Sequence, residues 1–204
     1  MQQADPTGGG RDFPAYDVVA LVASAGGMTA LSTVLKALPD DFPVAIVIVQ
    51  HLDPRHRSLM SDILGRRTKL PVREASEGEK LEPGQMRIAA PNRHLLVNFD
   101  GTLSLTETEL VHFVRPSADL LFESLAASYG ERAIAVVLSG SGSDGSMGVR
   151  AIKSRGGTVV AQDETTAEFP GMPAAAVASG QVDFVLQLDE IAPALISLVG
   201  ARSP

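Results

Sequence analysis

Three unbroken apolar runs constrain the fold of this 204-residue chain more than any other feature: Val18–Val22, Val44–Val49 and Ala133–Leu138. A strand with one wet face alternates apolar and polar residues. A continuous run rich in Val and Ile is instead the pattern of a strand covered on both faces, as in a parallel sheet. The first run breaks at Ser24-Ala25-Gly26-Gly27, and Leu31, Val34, Leu35 and Leu38 then recur at the spacing of one helical face. Pro39-Asp40-Asp41 closes that helix, and Pro43 leads into the second run. Strand, glycine-rich turn, helix and strand make a βαβ unit with a right-handed crossover.

The middle of the chain is less regular. Ser58–Arg67 reads as a short helix with Leu59, Ile63 and Leu64 inward, Glu74–Gly84 as a charged, turn-rich stretch, and Met86–Ala90 as a short strand. Asp100-Gly101 between His94–Phe99 and Thr102–Thr106 is a strong two-residue hairpin signal. It predicts an antiparallel ribbon inserted into the main sheet or lying at its edge. Ser117 is placed to cap a helix carrying Leu120, Leu121 and Leu125 and stopped by Gly130. Strands at Ala133–Leu138, Thr158–Ala161 and Val182–Leu186 then alternate with helices near Ser146–Ser154, Pro173–Ala178 and Glu190–Val199. The expected fold is α/β: a doubly wound, mostly parallel sheet with helices on both faces and a small antiparallel hairpin. The expected division is a disordered tail over residues 1–15, polar and carrying Gly8-Gly9-Gly10, followed by one domain over 16–204.

Composition removes several classes of function. With no Cys there is no disulfide framework, no thiolate metal site and no Cys nucleophile. A net charge of −7, from 17 Lys+Arg against 24 Asp+Glu, argues against a nucleic-acid binder. No apolar run approaches the roughly 18 residues of a membrane span, and Met1–Asp12 carries no secretory signal pattern. A cytoplasmic domain is expected. His51, Asp53 and His56 do not share a helical face with Pro54 between them, so no metal is expected. Ser24-Ala25-Gly26-Gly27 matches neither nucleotide-binding glycine pattern, so no cofactor is expected.

Ligands of such sheets bind beyond the carboxyl ends of the strands, near a topological switch point. Ser24 follows the first strand, Gln50-His51 ends the second, and Ser139–Gly145 with Asp144 follows the third; Gln162-Asp163-Glu164 follows the fourth. A hydroxyl, an imidazole and a carboxylate on one rim are what acyl transfer requires. The imidazole takes the serine proton and the carboxylate holds the imidazole in its tautomer. Backbone N–H groups of Ala25, Gly26 and Gly27, at the start of a helix, would stabilise an oxyanion. Each residue also has a plainer reading: Ser24 as a helix cap or phosphate-loop element, His51 as a hydrogen-bonded strand-end histidine, Asp144 as a cap of the next helix. Asp163 competes for the acid role, and His94 and His112 have no assignment.

Seven ordered blocks carry a resemblance. They are the Ser24 turn, Val49-Gln50-His51, Ala90-Pro91-Asn92-Arg93-His94-Leu95, Arg115-Pro116-Ser117-Ala118-Asp119, Leu138–Gly145, Gln162-Asp163-Glu164 and Gly171-Met172-Pro173 with Ala175-Ala176. Together they resemble the catalytic domain of the chemotaxis protein-glutamate methylesterases, the CheB type, from about Val18 to Val199. The resemblance implies a serine hydrolase that cleaves glutamate 5-methyl esters on the cytoplasmic helices of methylated chemoreceptors, with glutamine deamidation as a further activity. It implies Ser24 as nucleophile, His51 as general base and Asp144 as orienting acid, and leaves Asp163 a structural or rim residue. The chain departs from the family pattern at Val22 and Ala25 around the nucleophile and at Ser141 before the acid. Only about 16 residues precede the first strand, too few for the receiver domain that family members commonly carry there, so no phosphorylation switch is expected in this chain. Two rival readings stand beside the esterase. One is a non-catalytic signalling adaptor of the same fold, suggested by Ala25 and Ser141. The other is a hydrolase of a different ester or amide, suggested by the missing receiver.

Overall fold

The computed structural model describes residues 16–51 and 59–200; the expected tail over residues 1–15 lies outside them. Nine strands and six α-helices are formed among the described residues. The first half carries β1 (Val18–Ala23), α1 (Gly27–Ala37), β2 (Ala45–Gln50), α2 (Met60–Gly65), β3 (Val72–Glu74), β4 (Met86–Ile88), β5 (His94–Val97) and β6 (Leu103–Thr106). The second half carries α3 (Ala118–Tyr129), β7 (Ala133–Val137), α4 (Ser146–Ser154), β8 (Thr158–Gln162), α5 (Gly171–Ala178), β9 (Phe184–Leu186) and α6 (Leu188–Gly200).

Seven strands form one sheet in the order β3-β4-β2-β1-β7-β8-β9, and every pairing in it is parallel. All six residues of β1 are fully buried, because the two faces of the strand feed two separate cores. Val18, Ala20 and Val22 pack with Leu121, Phe122 and Leu125 of α3, Val149 and Ile152 of α4, and Met172 of α5. Val19, Leu21 and Ala23 pack with Leu31 and Leu35 of α1, Met60 and Leu64 of α2, and Leu195 of α6. The doubly wound expectation is therefore met. The chain leaves β1 toward β2 and leaves β7 toward β8, so the strand order reverses between the adjacent strands β1 and β7. That reversal is a topological switch point, at whose carboxyl ends ligands of such sheets bind.

Two expectations need correction. The hairpin β5–β6 is neither inserted into the main sheet nor paired with its edge; it forms a two-stranded sheet of its own. On the β5 side, the Ser124 hydroxyl of α3 accepts from Val97 N–H at 3.0 Å and the Ser128 hydroxyl donates to Val97 C=O at 2.8 Å; on the β6 side, Leu103 N–H donates to Glu79 C=O at 2.7 Å and Leu103 C=O accepts from Gly78 N–H at 2.8 Å. Side-chain hydroxyls of a helix thus do what a neighbouring strand would have done. In α2 the buried pair is Met60 and Leu64, whereas Leu59 and Ile63 are 58% and 38% exposed. Leu64 is inward as expected, but Leu59 and Ile63 are not: residues four apart share a face, and Met60 is the one that shares Leu64's. The three-residue edge strand β3 was not expected either, since two of its residues, Arg73 and Glu74, are exposed and charged.

Candidate active site

β1 and β2 pair so that Ala23 lies opposite Gln50. Ser24 and His51 are the next residue on each strand, and the ladder continues past them: His51 N–H donates to Ala23 C=O at 3.1 Å, and Ser24 N–H donates to Ser139 C=O, just beyond β7, at 3.0 Å. Asp144 arrives from the loop between β7 and α4. Its Oδ2 lies 2.8 Å from His51 Nε2, and it is 4% exposed. The fold thus joins an imidazole and a carboxylate that are 93 residues apart in the chain.

Three further donors fix that carboxylate at the N-terminus of α3. Oδ2 accepts from Ala118 N–H at 2.6 Å. Oδ1 accepts from the Ser117 hydroxyl at 2.9 Å and from Asp119 N–H at 3.1 Å. The open amides of a helix start are a natural seat for an anion. Burial alone pushes the Asp144 carboxyl up, but the hydrogen bonds from His51, Ala118 and Asp119 and the imidazole's charge outweigh it, leaving its pKa below the ordinary value. Since the carboxylate is an acceptor only, His51 Nε2 carries a hydrogen and Nδ1 is the basic nitrogen. Nδ1 has no hydrogen-bond partner among the described residues.

Ser117 is the N-cap of α3, as expected, accepting from Leu120 N–H at 3.4 Å. Its own N–H donates to Nδ1 of the buried His94 at 3.1 Å, so His94 must carry its proton on Nε2, which faces Glu109 C=O at 3.0 Å. Burial lowers the His94 pKa, which suits a neutral ring that accepts on one side and donates on the other. His94 is thus a strut behind Ser117 and Asp144. His112 lies 3.3 Å from Asp119 Oδ2. Asp163 is not at the imidazole: its Oδ1 accepts from Thr165 N–H at 2.8 Å and closes a local turn. Asp53 and His56 lie outside the described residues.

The turn holding Ser24 is clamped from two sides. Gln50 Nε2 donates to Ser24 C=O at 2.7 Å, and the Ser139 hydroxyl donates to Ala25 C=O at 2.9 Å. Gly26 has φ +70°, in the left-handed region, and a Cβ there would lie 2.8 Å from Ser139 Oγ; a glycine is needed on both counts. Gly27 N–H is spent on Ser24 C=O at 2.9 Å, whereas Ala25 and Gly26 N–H donate to no acceptor among the described residues. The Ser24 hydroxyl makes no hydrogen bond to His51, and Gly140 packs against its Cβ, a methyl at Gly140 falling 2.9 Å away. Of the three departures from the family pattern, Val22 is buried in the core under α3 and α4, Ala25 anchors Ser139, and Ser141 is exposed.

Gln50, Ser139 and the role of Asp119 were not identified from sequence. A trace existed for Gln50, a single polar residue ending the apolar run Ala-Ile-Val-Ile-Val-Gln. Ser139 carried no comparable signal.

The fold and site define a doubly wound α/β domain with a histidine–carboxylate pair at its topological switch point. Residues 19–195 match the family model described as CheB methylesterase, and the chain belongs to that family. It is similar to protein-glutamate methylesterase/protein-glutamine glutaminase 2 of Burkholderia lata, 44% identical over 182 residues that cover 89% of this chain and 54% of the relative. The protein of the same description from Moorella thermoacetica is 43% identical over 190 residues, covering 91% of this chain and 45% of the relative. The chain therefore spans about half the length of these curated relatives. Among solved structures, the CheB methylesterase catalytic domain of Thermotoga maritima superposes with a TM-score of 0.86 at 35% identity, covering 90% of this chain and 99% of that one. No helix among the described residues is long and apolar enough to cross a membrane.

Proposed function

We propose that this chain is a protein-glutamate methylesterase that works through an acyl-enzyme, with Ser24 as nucleophile, His51 as general base and Asp144 as the acid that orients the imidazole. The observation that carries the reading is the 2.8 Å contact between His51 Nε2 and Asp144 Oδ2, one residue beyond the strand that pairs with the strand leading to Ser24. With Nε2 engaged, Nδ1 takes the Ser24 proton as Oγ attacks the γ-carbonyl of the ester. The carbonyl π electrons move to oxygen, where the N–H groups of Ala25 and Gly26 stabilise them. When the C–O bond to the methoxy group breaks, the proton on Nδ1 passes to that oxygen and methanol leaves. Water, deprotonated by the same nitrogen, then releases the glutamate carboxylate and restores Ser24. A glutamine side chain enters the same sequence with ammonia as the leaving group. Gly27, whose N–H is already spent, contributes its lack of a side chain rather than a donor. The substrates on this reading are the methylated cytoplasmic helices of chemoreceptors, and the setting is cytoplasmic.

Methanol release from methylated receptor helices tests the activity, and S24A tests the nucleophile. Loss of a triad member lowers kcat by orders of magnitude, so S24A should fall below the detectable rate; release surviving in S24A removes Ser24 from the mechanism. The lack of a hydrogen bond between the Ser24 hydroxyl and His51 favours one competing reading, a binding adaptor without turnover. It predicts receptor-helix binding with no methanol release and no labelling of Ser24 by a serine-reactive phosphonate. The esterase reading expects both release and labelling.

A further inference from the structure

Gln50 ends β2 as the one polar residue of a fully buried strand and is 6% exposed. A carboxamide in such a place is costly unless both its ends find partners. Only one does. Nε2 uses its two hydrogens on two carbonyls, Ser24 C=O at 2.7 Å and His51 C=O at 3.0 Å. Oε1 is buried and meets no donor among the described residues, and it presses on the turn so closely that a Cβ on Gly27 would stand 2.1 Å from it. An apolar side chain of the same length would spare the fold an unmet acceptor. What it could not do is tie the main chain of the residue after β1 to that of the residue after β2.

From this geometry we infer that Gln50 is a positioning residue for ester hydrolysis: its amide nitrogen staples the backbones of Ser24 and His51 together and so sets hydroxyl against imidazole. The inference rests on the roles proposed for Ser24 and His51. Ser24 C=O receives Gly27 N–H as well as Gln50 Nε2, so the same staple fixes the turn that aims the N–H groups of Ala25 and Gly26. Gln50 itself touches no reacting atom. Its effect belongs in the rate of the chemical step, since a displacement of about 1 Å in a reacting group costs on the order of 100-fold.

The test compares wild type, Q50M, Q50E and S24A, measuring kcat and KM for methanol release, the rate of phosphonate labelling and the melting temperature. Q50M keeps the length and removes both the donors and the idle acceptor. It should melt at or above the wild-type temperature while kcat and the labelling rate fall together by roughly 10- to 100-fold and KM stays within about twofold. Q50E keeps the shape but turns an oxygen toward two carbonyl oxygens, and should lose more rate than Q50M. Wild-type kcat in Q50M overturns the inference. So does a Q50M that fails to fold, because the fold would then depend on the carboxamide. Activity surviving in S24A overturns the catalytic reading instead, whereas an inert S24A beside a fully active Q50M overturns only the role of Gln50.

Discussion

Helices α3 and α4 begin side by side, and each takes a carboxylate from the other. Asp144, just ahead of α4, accepts from Ala118 and Asp119 N–H at the start of α3. Asp119, in the first turn of α3, accepts on Oδ1 from Met147 and Gly148 N–H at the start of α4, at 3.0 and 2.7 Å. Both groups are buried, yet their acidities move in opposite directions. Asp144 has donors on both oxygens and stays below the ordinary carboxylate value. Among the described residues Asp119 Oδ2 has no aligned donor; the His112 ring nitrogen stands at ion-pair distance, 3.3 Å, but the geometry is not that of a hydrogen bond. Burial therefore dominates, aided by the nearby Asp144 charge, and the Asp119 pKa is raised. Similar seclusion gives opposite pKa shifts, and the number of donors aimed at each carboxylate decides the direction.

The largest effect expected from breaking this symmetry is on turnover. Replacing Asp144 by Asn lets the wrong tautomer of His51 form, and kcat for methanol release should drop by roughly 10³- to 10⁴-fold; Asp119→Asn should cost less than about tenfold. Equal losses in the two variants would show that the caps act as one unit. Next in size is stability. Asp144→Ala and Asp119→Ala each strand buried donors, and urea unfolding should report a loss of about 1–3 kcal/mol for either. The third contrast lies in the acid limb of the stability curve. Asp144 has a depressed folded pKa, so its contribution is complete above the ordinary carboxylate value of about 3.9 and is lost as the pH falls below it. Asp119 has a raised folded pKa, so its contribution is present below that value and is lost as the pH rises through the folded one. Urea melts across this range should show D144N with a shallower loss at the acid end. D119N should lack the gain in stability that protonation of Asp119 gives the wild type as the pH falls through its raised folded pKa. The smallest effect belongs to His112→Ala: the residue is 51% exposed and its pairing is screened by solvent, so stability at neutral pH should change by no more than about 0.5 kcal/mol.

How far the sequence reached differs by element. The buried strands β1, β2 and β7 were legible because an unbroken β-branched run has few other homes, and the Ser117 cap because its hydroxyl serves an amide only three residues away. The hairpin turn was legible, but its location was not, since Asp100-Gly101 says nothing about which surface the ribbon covers. The inward face of α2 was legible at Leu64 but not at Met60, because a six-residue helix holds too few turns for periodicity to settle its rotation. Of the site, Ser24, His51 and Asp144 were named, but Asp144 and Asp163 both follow strands and both precede turns. Nothing local distinguishes them.

Composition and periodicity by themselves determined the alternation of strand and helix, the burial of the sheet on both faces and the rim on which polar residues collect, because each depends on side chains within a few positions of one another. Only the tertiary structure decided which carboxylate meets His51, which ring nitrogen is left basic, and that Gln50 bridges two strand ends. Those contacts depend on the order of the strands across the sheet and on where α3 begins above it. Hydrogen bonds between residues 26 or 93 positions apart leave no periodic trace in a linear chain.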